Sequence, residues 1–135
     1  MSESIFGIHE SALKIREQRA EILANNLANA DTPNFKAQDL DFRAALQDAS
    51  SGSSRSEAAS MTRTNAHHID GDSDSFASTS SYLMYRQPTQ PSLDGNTVES
   101  HIEKAKFMEN GMQQTATLEF LNGRITGLRS ALRGE

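Results

Sequence analysis

Ile22-Leu23-Ala24-Asn25-Asn26-Leu27-Ala28-Asn29-Ala30-Asp31-Thr32-Pro33-Asn34-Phe35 holds the transition from which the rest of the chain can be read. Through Ala30 the residues are good helix formers with apolar side chains at helical spacing, and Asp31-Thr32-Pro33-Asn34 then reads as a turn. Proline presets its own φ and drives Thr32 out of the α region, so the helix has a definite stop. Asn34 tolerates the left-handed conformation better than most non-glycine residues, which predicts a tight reversal with Phe35 folded back against the helix.

Upstream, the helix is expected to run from Ser4, read as its N-cap, to Ala30. Apolar residues fall in one row at Ile5, Ile8, Ala12, Ile15, Ile22 and Leu23, and in a second at Phe6, Leu13, Ala20 and Leu27. Together the rows cover roughly half the circumference, wider than the seam of a two-stranded coiled coil, so this helix needs neighbours on two sides. Glu10, Lys14, Glu17, Gln18, Glu21 and Asn25 form the opposite, solvated face, with Glu10 and Lys14 at i,i+4 spacing. Arg19 and Asn26 interrupt the first row, and two readings stand: a snorkelling arginine with a tolerated amide, or a pair that fixes register against partner helices.

A second long helix is expected from Thr97 to Leu132, opened by Asn96 as N-cap with Glu99 as its capping-box partner. Its first half carries an apolar row at Val98, Ile102, Ala105, Met112 and Ala116. Its second half carries Leu118, Leu121, Ile125, Leu128 and Leu132, rotated by roughly half a turn. An intramolecular hairpin uses one seam, which leaves the other for a second subunit. Gly111, Gly123 and Gly127 each cost about 1 kcal/mol in a helix interior and weigh against an unbroken helix in the free chain.

Between the helices, Leu40, Phe42 and Leu46 among Asp39, Asp41 and Arg43 suit an extended arm followed by a helical turn. Residues 50–81 contain eleven serines in 32 positions and only Met61, Ile69 and Phe76 as large apolar side chains, too few to offset the entropy of ordering; a mobile loop is expected. Order returns with Tyr82-Leu83-Met84-Tyr85-Arg86, a short strand or arm, before Pro88 and Pro91 enforce extension.

The resulting fold class is mainly α: two long terminal helices packed as a coiled-coil-like hairpin or bundle, with a flexible, partly extended central insertion. Residues 1–35 and 92–135 form one structural domain, and residues 36–91 the insertion. With 36% hydrophobic residues, 6% aromatics and a mean hydropathy of −0.61, the chain is poorly supplied for a self-sufficient core, so further burial is expected from other chains. The 13 basic and 18 acidic residues, net −5, argue against nucleic acid or an acidic membrane surface as partner. There are no cysteines, so disulfides, thiolate metal sites and cysteine nucleophiles are excluded. Neither a cleavable signal nor an apolar run of spanning length is read in the sequence.

No catalytic set emerges. The serines, histidines and aspartates of residues 50–81 lack a scaffold to hold reaction geometry, and Gly123-Arg124-Ile125-Thr126-Gly127 lacks the spacing of a phosphate loop. His67-His68-Ile69-Asp70-Gly71-Asp72-Ser73-Asp74 has the look of a metal site. Counted from Asp70, however, a calcium loop would need glycine where Ser75 stands and glutamate where Ser81 stands. No cofactor, no metal and no enzymatic activity are expected.

Ala24-Asn25-Asn26-Leu27-Ala28-Asn29-Ala30-Asp31-Thr32-Pro33-Asn34-Phe35 resembles the N-terminal signature of the axial proteins of the bacterial flagellum. Gln38-Asp39-Leu40-Asp41-Phe42 and Gln90-Pro91-Ser92-Leu93-Asp94-Gly95-Asn96-Thr97-Val98-Glu99 narrow the likeness, end to end, to the proximal-rod family of the basal body, the FlgB family. Thr62 to Ile69 is similar to a threonine and histidine patch found at this place in that family. Asn34-Phe35 stands where relatives often have glycine and tyrosine, and Gln114 where an aromatic is common. The resemblance implies a structural subunit of the flagellar basal body, self-associating through its terminal helices. It implies partners among other rod subunits and basal-body ring or junction proteins, and delivery by the flagellar type III export apparatus without a cleaved signal. Phe42 to Leu46 also fits a loose export-gate pattern, beside the plainer reading of local packing. The assembly interface is expected at Ile8, Ile15, Ile22, Leu23, Asn26, Leu27, Pro33, Phe35, Leu118, Leu121, Ile125, Leu128 and Leu132. The competing expectation is a cytoplasmic helical export chaperone or adaptor, which would also be small, acidic and free of cysteine.

Overall fold

A computed structural model describes residues 6–51 and 79–134. Ser4, the serine-rich stretch up to residue 78, its His67–Asp74 motif and the threonine and histidine patch lie outside the described residues.

Helix α1 spans Ile8–Ala28, strand β1 Gln38–Leu40, helix α2 Phe42–Ser51, strand β2 Leu83–Tyr85 and helix α3 Ser100–Arg133; a 3-10 turn, Thr79–Tyr82, leads into β2. The two strands pair antiparallel, Gln38 opposite Tyr85 and Leu40 opposite Leu83. Helices α1 and α3 form an antiparallel hairpin. Asn26 meets Glu103, Arg16 meets Asn110 and Gln113, and His9 stacks on Phe120 with ring centroids 5.9 Å apart. At 1.5 Å per residue, the 34 residues of α3 extend about 51 Å and the 21 of α1 about 32 Å, so α3 overhangs its partner.

The stop of α1 comes two residues earlier than Ala30, at Ala28, with Asn29 as C-cap. Asn34 takes φ 61°, and the Phe35 N–H reaches back to the Thr32 carbonyl at 3.3 Å. Helix α3 starts at Ser100 rather than Thr97, and Glu99, not Asn96, occupies its N-cap position. It ends at Arg133, where Gly134 adopts the left-handed conformation and donates to the Ser130 carbonyl. The three interior glycines leave α3 unbroken; a Cβ built on Gly111, Gly123 or Gly127 meets nothing within 4 Å. The expected helical turn after Leu40 is a ten-residue helix.

The apolar core is small. Ile15, Leu40 and Ala45 form its centre, with Ile22, Phe42, Leu46 and Tyr82 packed around them. It joins α1, α2 and the two-stranded ribbon and leaves α3 out. The face that α3 turns to α1 is polar: Glu103, Asn110 and Thr117, seven residues apart, are all buried. The expected first-half row of α3 is not this seam, since Met112 is 69% exposed and Ala105 and Ala116 lie open to solvent. Glu103 accepts from the Asn26 amide and Asn110 donates to the Arg16 carbonyl, whereas Thr117 donates back to the Gln113 carbonyl of its own helix; the two cross-helix bonds favour one register where an apolar stripe would tolerate several.

Candidate assembly surface

Two latches fix the hairpin before any neighbour is considered. The first holds the turn after α1. The Asn96 side-chain amide donates to the carbonyls of Asn29, Ala30 and Thr32 at 3.1, 2.7 and 3.0 Å, satisfying groups that a helix C-terminus leaves orphaned. Its Oδ1 accepts from the Val98 N–H at 2.8 Å, so the residue expected to open α3 instead ties the end of α1 to the approach of α3. The Asn34 N–H donates to the Asp94 carbonyl at 2.9 Å and the Thr97 N–H to the Phe35 carbonyl at 3.0 Å. Gly95, at φ 72°, approaches so closely that a Cβ there would sit 2.5 Å from Asn34 Oδ1. The prolonged turn of residues 29–35 is thus clamped by residues 92–97.

The second latch is a buried ionic cluster. Asp39, on β1, accepts from Arg19 at 2.9 and 3.3 Å, from Arg86 at 3.0 Å and from Lys106 at 3.3 Å. Glu103 is fully buried, paired with Arg86 and accepting from the Asn26 amide at 3.2 Å. Asn26 also donates to the Gln38 carbonyl at 2.6 Å and accepts its N–H at 3.0 Å, completing one step of a sheet ladder with a side chain. Burial alone would raise the Asp39 pKa. The hydrogen bond and charge of Arg19, the Leu40 N–H and the Lys106 charge outweigh it and bring the carboxyl down to about 2. The groups that Arg19 and Asn26 hold lie on β1 and α3 of the same chain.

Outside these latches α3 carries an exposed apolar row. Leu118, Ile125, Leu128 and Leu132 on α3 are 41, 40, 45 and 90% exposed, and Leu121 is half-buried. The run is a strict alternation of three and four residues, the spacing of a coiled-coil seam. Phe107, Met108, Phe120 and Leu93 add exposed apolar surface that spacing arguments had not marked. At the overhanging end Phe6, Ile125, Leu128 and Leu132 line a shallow, open apolar depression together with Arg129 and Arg133.

Of the residues expected at the interface, Ile15, Leu23 and Asn26 are covered within the chain; Ile22, Leu27, Phe35 and Leu121 are half-buried; Ile8, Pro33, Leu118, Ile125, Leu128 and Leu132 are exposed. Exposed apolar side chains thus lie on a hairpin whose helix–helix seam is polar. Among the described residues no group of three or more His, Asp or Glu side chains is placed to hold a metal, and no helix is long and apolar enough to cross a membrane.

The architecture is that of a helical structural component of an assembly. Comparison with known proteins identifies which assembly. Residues 6–36 match the family profile described as flagella basal body rod protein. The chain is 41% identical over 134 residues to the flagellar basal body rod protein FlgB of Aeromonas hydrophila, covering 98% of this chain and 96% of that one. It is 40% identical to FlgB of Cereibacter sphaeroides (strain ATCC 17029 / ATH 2.4.9), at 96% and 94% coverage, and 38% identical to FlgB of Escherichia coli K12, at 92% and 89%. The chain belongs to the FlgB family of flagellar basal body rod proteins. It is a structural component of the bacterial flagellar basal body, associated with other rod proteins there, and the chaperone alternative finds no support.

Proposed function

We propose that this chain builds the proximal rod by packing the exposed row Leu118, Leu121, Ile125, Leu128 and Leu132, together with Ile8, Leu27, Pro33 and Phe35, against terminal helices of neighbouring subunits. The observation that carries this reading is the inverted distribution of side chains in α3: polar residues face α1 and apolar residues face outward. Residues 1–35 and 92–135 form the tube-building unit, on which β1 and α2 dock through Leu40, Ala45 and Ile15. Ring or junction proteins cover the end nearest the membrane. The subunit reaches its place through the type III export apparatus, its N-terminus uncleaved.

The test uses the exposed residues. Leu118→Asp and Ile125→Asp change the stability of the free chain by less than about 0.5 kcal/mol, as surface substitutions do, yet abolish motility and remove the chain from isolated basal bodies. Ile15→Asp serves as the contrasting case, because it unfolds the monomer by burying a charge in the core. Wild-type motility and rod occupancy in both surface variants would refute the proposal.

A further inference from the structure

Past Phe120 the charge of α3 departs from that of the chain. Residues 121–133 hold Arg124, Arg129 and Arg133 and no acidic side chain, in a chain of net charge −5. All three arginines are exposed, and among the described residues none has an ion-pair partner. Arg124 lies beside Gly7, at the start of α1. The exposed apolar row fixes what two of these arginines border. With Leu118, Ile125 and Leu132 as a positions of a heptad and Leu121 and Leu128 as d positions, Arg124 falls at g and Arg129 at e. The other flanking residues from 115 to 131 are Thr115, Thr117, Asn122 and Ala131, so the seam has a cation on each side and an anion on neither.

We propose that the helix packing laterally on this row is an amphipathic helix of another subunit whose own apolar seam is flanked by carboxylates, which face Arg124 and Arg129. The inference rests on the assembly reading above and specifies the partner of that same lateral contact. A second helix is the occupant that the spacing fits. Alternation of three and four sets the side chains as knobs for the holes of a facing helix, over about 21 Å from Leu118 to Leu132. An anionic lipid surface would also attract arginines, but it takes a broader apolar face; Asn122, Thr126 and Ser130 keep this stripe one seam wide. Flanking charges in such a contact choose the partner, because a like-charged helix is repelled and an oppositely charged one is drawn in and held. Two unpaired arginines therefore reject a helix flanked by lysine or arginine and admit one flanked by aspartate or glutamate.

Two synthetic helical peptides with leucine at a and d, one with glutamate and one with lysine at e and g, probe the full-length chain directly. By fluorescence anisotropy at low salt the glutamate peptide is expected to bind about tenfold tighter, and the gap to close as salt is raised to about 1 M. Arg124→Glu with Arg129→Glu reverses the order, Arg124→Lys with Arg129→Lys keeps it, and Leu118→Asp removes binding of both peptides. In cells the charge-reversed chain is expected to be absent from isolated basal bodies and the lysine variant present. Should the reversed chain melt early by circular dichroism, Arg129→Glu alone, which keeps Arg124 beside α1, carries the same comparison. Equal affinities, preference for the lysine peptide, or stronger binding to phosphatidylglycerol vesicles than to the glutamate peptide overturns the proposal. If Leu118→Asp empties the basal bodies and charge reversal does not, the acidic partner fails while the rod reading stands. If the glutamate peptide is preferred but the Leu118→Asp chain fills basal bodies as wild type does, the rod reading fails and the charge preference of the seam stands.

Discussion

Replacing Glu103 by leucine and Arg86 by methionine, singly and together, asks what holds α3 on the rest of the molecule. Glu103 is fully buried and Arg86 is 16% exposed. Removing the carboxylate alone leaves Arg19, Arg86 and Lys106 gathered around Asp39 as the one remaining anion of the cluster. Breaking a buried pair in this way costs about 3–5 kcal/mol, and the lower end applies because Asp39 still faces Arg86. Removing Arg86 alone strands the Glu103 carboxylate with the Asn26 amide, at a cost of similar size. Removing both leaves Asp39 with Arg19 and Lys106 and no uncompensated buried charge, so the double variant loses only about 1 kcal/mol. Urea unfolding followed by helical circular dichroism measures all three, and the double variant is expected at least about 2 kcal/mol more stable than the sum of the single losses. Additive losses, or single losses below about 1 kcal/mol, would refute the claim that this pair clamps α3.

Three further outcomes are expected. Asp39 has a folded pKa of about 2 against the ordinary 3.8, so its ionisation adds stability above pH 4 that is lost as pH falls towards 2. After screening, this amounts to about 1–2 kcal/mol, and the gap in stability between wild type and Asp39→Asn should shrink by that amount between pH 5 and pH 2. Asn96→Ala removes the side-chain donor from the carbonyls of Asn29, Ala30 and Thr32, of which Asn29 and Thr32 keep a backbone donor. It should cost about 1–2 kcal/mol and speed hydrogen exchange at residues 29–35 more than in the middle of α1. Gly123→Ala adds a methyl group that meets nothing in the chain, so it should stabilise α3 by about 0.5–1 kcal/mol in thermal unfolding.

The terminal helices and the stop at Pro33 were legible because they rest on local chemistry: apolar spacing, proline's effect on Thr32, and asparagine's tolerance of positive φ at Asn34. The pairing of Gln38–Leu40 with Leu83–Tyr85 was half legible, since each segment reads as extended but nothing local says they meet across 42 intervening residues. The role of Asn96 was misread for a physical reason. An asparagine three residues before a glutamate satisfies the pattern of a capping box, and only the tertiary fold brings the end of α1 close enough to claim its amide instead. The expected interface residues divided in the same way. Exposure of Leu118, Ile125, Leu128 and Leu132 was foreseeable from a second apolar row, whereas Ile15 is covered by Leu40 and Ala45 of β1 and α2 and Leu23 is fully buried within the chain.

The polar seam of α3 was invisible to any search for apolar periodicity, and that invisibility bears on how the molecule divides its surface. Had Leu118, Leu121, Ile125, Leu128 and Leu132 faced α1, the free hairpin would be more stable, and α3 would have little left to offer a neighbour. With Glu103, Asn110 and Thr117 there instead, the register of the hairpin is held by the Glu103–Asn26 and Asn110–Arg16 hydrogen bonds, whose net contribution to stability is modest but whose geometry is exacting. Under the proposed assembly the apolar rows are left for contacts between chains, where stabilisation is proportional to the area removed from water and needs no prior commitment within the monomer. A subunit so divided is marginal when alone and gains its remaining stability from the assembly it joins. Exchanging the two faces of α3, with apolar residues at 103, 110 and 117 and polar residues at 118, 125 and 132, should therefore yield a more stable monomer that no longer enters the rod.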